Sequence, residues 1–265
     1  MSPLVSRVVV AVVGLPVVLG IVYLGGWWLF GLAAIAAVLA LHEYSLMIRS
    51  LRPLILAAMA GSLGSLLGAQ LGGLEWIVAG FLATIPLAFF LHWIASTRQS
   101  ATVAISSTVL GAAWIGLGLA HLLLLRAIPF NGRLAVFTVL LAIFAGDIAA
   151  FFAGRLLGRH RMAPAISPGK TWEGFVAGTA ATVFVAFVAL YKQDYVSIGD
   201  SLILGAVIAV AGPVGDLFES ALKRDMQVKD SGRILGGHGG VLDRLDAPLF
   251  AAVASYYVLR ALGAA

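Results

Sequence analysis

Uninterrupted apolar runs, divided by short polar turns, dominate this chain and leave few folds open to it. Residues 8–24 and 26–41 carry no charged side chain at all. Runs of that kind are long enough to cross roughly 30 Å of hydrocarbon as helices. Inside lipid the backbone must satisfy its own hydrogen bonds, which only helices and closed barrels do. The period-2 alternation of a barrel strand is weak here. Composition agrees: 61% of residues are hydrophobic and 11% charged, where a soluble domain is about a quarter charged. The chain is therefore read as an all-α, polytopic integral membrane helix bundle. About nine transmembrane helices are expected, near 5–24, 27–48, 53–72, 75–95, 102–125, 134–157, 173–191, 199–219 and 247–263. Their connections are mostly short, so residues 1–265 are expected to form a single membrane domain. The first run imitates a signal peptide, but it is too long for one and lacks a small-x-small cleavage site. It is read as a retained helix.

Charge and cysteine content narrow the function. The 17 basic and 12 acidic residues leave a net charge of +5. That balance suits anionic lipid headgroups or polyphosphate, and it also suits ordinary topology signals. No block of Lys and Arg points to nucleic acid. The chain has no cysteine, which excludes disulfides and thiol catalysis. If the loop at 220–246 is cytoplasmic, so are those near 49–52, 96–100 and 155–172. That side then gathers most of the Lys and Arg, the usual positive-inside bias. Gly64, Gly68 and Gly72 repeat every four residues, as do Gly174 and Gly178. Small residues at that spacing let helices approach closely.

One segment breaks the apolar pattern. Residues 220–246 read SALKRDMQVKDSGRILGGHGGVLDRLD and hold five basic and four acidic side chains. At a bilayer such charges must be solvated or must meet each other, a metal or a phosphate. Asp243 and Asp246 lie three apart where the last span begins, so a helix puts them on one face. Two such carboxylates repel unless a cation joins them. Oxygen pairs of this kind suit Mg²⁺, which keeps several waters and engages substrate phosphates. Asp216 closes the preceding span and offers another ligand from a neighbouring helix. Glu219, nearer the loop, reads as the more solvated of the two. Lys223, Arg224, Lys229, Arg233 and Arg244 can neutralise phosphate oxygens. Their interleaving with Asp225 and Asp230 exceeds what topology needs. His238 stands in GGHGG, where flanking glycines allow a ligand close to the backbone.

A second polar cluster, SPGKTWEG, occupies residues 167–174. Its Gly-Lys-Thr invites a phosphate-loop reading. That motif requires glycine at position 164, where this chain has Pro164, and no strand is expected before it. Ser167, Lys170 and Thr171, read at a helix N-terminus, can still hold a phosphate. Glu173 suits the same helix start. Asp147, inside the sixth expected span, is read as lining a polar cavity. His42 and Glu43 read as interfacial, His92, His121 and Glu75 as structural, and His160 as a solvated loop residue.

These residues together resemble the signature of the phosphatidate cytidylyltransferase family, also called CDP-diacylglycerol synthases. Ser220, Lys223, Arg224, Lys229, Asp230, Gly232, His238, Gly239, Gly240, Asp243, Arg244 and Asp246 all stand at the spacing of that signature. The SPGKTWEG cluster and the Gly146–Asp147 pair are similar to further family motifs. The resemblance covers roughly the C-terminal half, 131–265, as the catalytic spans, and leaves 1–130 as N-terminal spans. Gly169 stands where a second lysine is expected, and Gly236 where proline is frequent.

The resemblance implies a reaction in which CTP and phosphatidic acid give CDP-diacylglycerol and pyrophosphate, for phospholipid biosynthesis. It implies Mg²⁺ on Asp216, Asp243 and Asp246, with a second cation at the same acids. Asp216, Lys223, Arg224, Asp243 and Asp246 take the catalytic roles. Ser167, Lys170, Thr171, Ser220, Lys229, Asp230, His238 and Arg244 take substrate-binding ones, with Asp147 and Glu173 at the cavity. It further implies a multi-pass protein of the inner membrane, its site facing the cytoplasm, in contact with membrane lipids and assembled as a homodimer.

Two other classes remain open on the residues alone. Asp147, Asp216 and Asp246 also suit the ion pathway of a coupled transporter. Against it, the charges gather on one face and no inverted repeat is visible. A CTP-dependent polyprenol or lipid kinase would use similar groups but would transfer the terminal phosphate and release CDP. A CDP-alcohol phosphotransferase is disfavoured, because its Asp-Gly-x-x-Ala-Arg motif is absent.

Overall fold

A computed structural model describes residues 12, 14–95, 100–232, 234 and 239–264. It divides into two compact units, one of residues 1–127 with 226–245 and one of residues 128–225 with 246–265. Among the described residues six helical stretches are long and apolar enough to cross a membrane. The chain is therefore a polytopic helical membrane protein. Eight of the nine expected spans fall on described helices, and the first does so in part. Leu15–Leu24 and Ile55–Leu71 are shorter than a full crossing. The start of the 5–24 span lies outside the described residues.

The first unit begins with α1 (Leu15–Leu24) and α2 (Gly26–Met47). Gly25 parts them at a φ of 69°, a left-handed backbone that glycine adopts without steric cost. Arg126 closes the end of α1: its Nε donates to the Val22 carbonyl at 3.0 Å and its Nη2 to that of Tyr23 at 2.8 Å. Last-turn carbonyls lack helical partners, and a guanidinium suits them. Next come α3 (Ile55–Leu71), α4 (Leu74–Leu82) and α5 (Thr84–Ala95). The glycines of α3 face α4. A Cβ on Gly80 would run into the Gly64 backbone, and one on Gly68 into that of Trp76. The four-residue glycine repeat thus serves packing inside this unit. α6 (Ala101–Gly111) continues through a π-wound stretch, Ala112–Leu117, into α7 (Gly118–Ala127). Gly116 in that stretch lies against Ser62. His121 is buried, and its Nδ1 donates to the Leu117 carbonyl at 2.7 Å, the structural role expected of it.

The second unit is built on α8 (Gly132–Leu157), α9 (Trp172–Leu190) and α10 (Ile198–Asp225). Between α8 and α9 runs an antiparallel hairpin of β1 (Arg161–Ala163) and β2 (Ser167–Thr171), pairing Arg161 with Thr171 and Ala163 with Ser167. This hairpin is a local departure from the all-α expectation. Its short, polar, Gly- and Pro-containing sequence shows no apolar alternation to announce a strand. The last helix, α11 (Leu242–Ala261), begins in the first unit and from Asp246 onward belongs to the second.

Candidate active site

The second unit holds an open cavity of about 600 Å³. Close packing of α8 on α9 forms one wall. Gly178 sits against the Gly146 carbonyl, and Gly174 against that of Ala150. Gly154 near the end of α8, and Gly158 just after it, leave room for Thr171. Asp147, Arg155, Arg161, Lys170 and Asp216 bring their charges to this cavity, with Phe151, Met162 and Phe175 as apolar lining. Asp147 therefore lines a polar cavity, as expected of a carboxylate inside an apolar helix, and its charged neighbours are Asp216 and Lys170. Arg155 and Arg161 were read from the sequence only as topology charges. What the sequence could not show is that the hairpin pairs Arg161 with Thr171 and so brings it to the cavity that Lys170 also lines.

Lys170 joins the hairpin to α10. Its Nζ lies 2.9 Å from Asp216 Oδ2 and donates to the Pro213 carbonyl at 3.3 Å. Asp216, Ser220 and Lys223 recur at helical spacing along one side of α10. Ser220 Oγ donates to Asp216 Oδ1 at 3.2 Å, and Lys223 Nζ lies 3.3 Å from Glu219 Oε1. The relative depth of the two acids reverses the sequence reading. The Glu219 side chain is 0% exposed, whereas that of Asp216 is 42% exposed. Glu219 is not at the helix end, because α10 runs on to Asp225.

Asp246 approaches α10 at a glycine. A Cβ on Gly215 would strike the Asp246 carbonyl, so glycine is what permits the contact. Asp216, Glu219 and Lys223 are the side chains that act on Asp246, and its Oδ1 accepts the Ala247 N–H at 2.8 Å. Asp246 precedes the apolar run of α11. Burial, and after it the Asp216 carboxylate, hold its carboxyl above the usual carboxylate range. A cation between the two would relieve that repulsion.

The SPGKTWEG cluster is a strand followed by a helix start. The expectation that no strand precedes the motif is corrected by β1, which ends at Ala163 just before Pro164. The phosphate-loop reading still fails, since Gly169 and Lys170 lie within β2 rather than in a loop cradling a helix N-terminus. Thr171 caps α9, its Oγ1 accepting the Gly174 N–H at 3.1 Å. Ser167 opens β2 opposite Ala163 and does not line the cavity. Glu173 also stands outside the cavity lining. Its carboxylate accepts the His160 backbone N–H at 3.2 and 3.3 Å and meets His160 Nδ1 at 2.7 Å. Arg224 donates from Nε to the Ile166 carbonyl at 3.1 Å, tying the hairpin turn to the end of α10.

In the first unit, Asp243 organises the polar segment around itself. Its carboxylate accepts the Ser231 N–H at 3.2 Å and the Gly240 N–H at 2.8 Å. Glu43, read from the sequence as interfacial, is buried and accepts the Leu242 N–H at 2.9 Å. Lys229, Asp230 and Arg244 are exposed. His238, Arg233 and Gly236 lie outside the described residues.

The chain matches the profile of the cytidylyltransferase family over residues 5–262. It belongs to that family. Among its relatives is a phosphatidate cytidylyltransferase of Mycobacterium bovis, 33% identical over 94% of this chain and 86% of the relative. One of the same name from Staphylococcus haemolyticus is 33% identical over 92% and 94% of the two chains. Another, from Haemophilus influenzae, is 39% identical over 45% of this chain and 43% of its own length. For a cytidylyltransferase, the combination in the second unit is chemically apt: basic groups for phosphate oxygens beside carboxylates for a divalent cation.

Among the described residues, no three His, Asp or Glu side chains stand close enough to hold a metal ion by themselves. Mg²⁺ does not need such a cage, because it binds through one or two carboxylates and takes its remaining ligands from water and substrate phosphates. Asp216 and Asp246 fit that donor set.

Proposed function

We propose that this protein transfers the cytidylyl group of CTP to phosphatidic acid, giving CDP-diacylglycerol and pyrophosphate. The supporting observation is the cavity in which Lys170, Arg155 and Arg161 gather beside Asp147 and Asp216. Both substrates are anions, so their mutual repulsion opposes the encounter. Three fixed cations in one cavity offset it, and partial desolvation strengthens each contact. A phosphate oxygen of the lipid attacks the α-phosphorus of CTP. The bond from that phosphorus to the β-phosphate oxygen breaks, and pyrophosphate leaves with the electron pair. The lipid phosphate is already an anion near neutral pH, so no general base is required.

Asp216 and Asp246 would hold Mg²⁺, which supplies positive charge to the reacting phosphates when bound; Asp243 is assigned its catalytic role on the strength of the family resemblance, and a second cation is part of this reading. Lys223, Arg224, Lys229 and Arg244 are assigned to substrate and leaving-group charge, and Ser220 to orienting Asp216. The site is assigned to the cytoplasmic face of the inner membrane, where CTP is available and the lipid headgroup lies at the interface.

The test is a detergent-micelle assay with purified protein, phosphatidic acid, Mg²⁺ and CTP labelled separately at the α- and γ-phosphates. The α label is expected in lipid and the γ label in pyrophosphate, with Asp216→Asn and Asp246→Asn near background. γ Label in lipid would instead mean a kinase. No lipid labelling by folded protein would overturn the enzymatic reading.

A further inference from the structure

Glu43 carries out no step of the reaction proposed above, yet its carboxylate is almost fully buried, at 1% exposed. It stands near the end of α2, far in sequence from everything it touches in residues 226–245. Its Oε2 accepts the N–H of Leu242, the first residue of α11, at 2.9 Å. First-turn N–H groups have no partner inside their own helix, so Glu43 caps α11 from a different helix. Two glycines of the polar segment are shaped around the same carboxylate. A Cβ on Gly232 would meet only Glu43 atoms as its nearest neighbours, and one on Gly240 would meet Glu43 and Ser231. The residue after Leu242 is Asp243, whose carboxylate receives the Ser231 and Gly240 N–H groups. Glu43 and Asp243 thus hold the same short backbone from two sides.

We propose that Glu43 is a positioning residue: it fixes Gly232, Gly240 and the first turn of α11, and through them the direction of the Asp243 carboxylate. Its bearing on catalysis rests on the cytidylyltransferase reading above, while its hold on the backbone does not. Removing the carboxylate frees the Leu242 N–H and leaves a void beside both glycines. Glutamine keeps an oxygen for that N–H and fills the same space.

The experiment compares wild type, Glu43→Ala, Glu43→Gln, Gly232→Ala and the Glu43→Ala/Gly232→Ala double variant by hydrogen exchange of peptides covering residues 239–245, together with steady-state kinetics. Glu43→Ala is expected to speed exchange there by about tenfold or more, leaving peptides from residues 101–127 unchanged. Its kcat is expected to fall while the KM for CTP stays within about twofold, because a carboxylate 1% exposed is closed off from substrate. Glu43→Gln restores slow exchange and most of kcat. Gly232→Ala speeds exchange alone but adds little in the Glu43→Ala background, where its Cβ has room. Unchanged exchange in Glu43→Ala, equal loss in both Glu43 variants, or faster exchange throughout the first unit would each overturn the proposal. A wild-type protein that makes no CDP-diacylglycerol would sink the assigned reaction instead, and the exchange data would still decide the role of Glu43.

Discussion

Lys170 and Asp216 form the ion pair that links the hairpin to α10, Nζ to Oδ2 at 2.9 Å, with Lys170 22% and Asp216 42% exposed. Such a pair contributes little to stability at this exposure. Its value lies in where it puts charge. The ammonium lines the cavity, where it can turn to a phosphate oxygen once Asp216 turns to a cation. Lys170→Met is expected to lower kcat/KM by about 10²–10³-fold, the usual cost of losing one fixed charge donor, with little change in the unfolding midpoint. Lys170→Arg should recover only part of the loss, because a planar guanidinium does not replace a point charge that also meets the Pro213 carbonyl. Cytidylyl transfer in micelles, measured beside thermal unfolding, checks both.

Gly215 sets the approach of α10 to Asp246. Gly215→Ala would press a methyl group into the Asp246 carbonyl, and backbone cannot yield as a flexible side chain does. The variant is expected to raise the Mg²⁺ concentration needed for half-maximal activity and to lower kcat. Gly212→Ala is the matched control. The nearest atom to its new Cβ is the Ala247 Cβ at 3.8 Å, an ordinary contact, so its Mg²⁺ titration should follow wild type. Identical titrations for the two variants would show that the approach does not govern the cation.

How far the sequence foretold this arrangement depends on the range of each interaction. Apolar run length located the helices, since spanning a bilayer is a property of consecutive residues. Asp147 and Asp216 at the cavity were legible for the same reason: a carboxylate on an apolar helix requires a polar surrounding. The depth of Glu219 was not legible, because distance along the chain to a loop says nothing about α11 lying over it. Glu43 was missed more completely. Its partner Leu242 is 199 residues away, and no local pattern marks a carboxylate that caps another helix. The hairpin was hidden by its composition, where Pro168 and Gly169 look like loop and the strand is held by pairing with β1.

Tyr44 tests the packing of the first unit independently of catalysis. It is 1% exposed, and its hydroxyl donates to the Ser107 carbonyl at 2.8 Å. Its ring meets Trp114 edge to face at 6.3 Å. Tyr44→Phe keeps the ring contact and removes the hydroxyl. It should cost about 1 kcal/mol, the net worth of one buried hydrogen bond, read as a lower unfolding midpoint in detergent. Specific activity of the folded protein should remain near wild type. A midpoint equal to wild type would mean that the hydroxyl adds nothing net to the fold.

Glu173 and His160 separate a backbone clamp from a surface ion pair. The His160 side chain is 77% exposed, and a pair so solvated adds little. The Glu173 carboxylate does more than meet that ring. It also receives the His160 backbone N–H, while the Trp172 N–H donates to the His160 carbonyl at 2.9 Å. Both contacts close the base of the hairpin that carries Arg161 and Lys170. His160→Ala should therefore leave kinetics within about twofold of wild type, as expected for an exposed pair. Glu173→Ala opens the base of the hairpin and should raise the KM for CTP by about tenfold, with a smaller change in kcat, because the cations are displaced rather than removed. Glu173→Gln keeps an acceptor for the His160 N–H and should lie between them. If His160→Ala and Glu173→Ala lose activity equally, the ion pair rather than the backbone bond holds the hairpin.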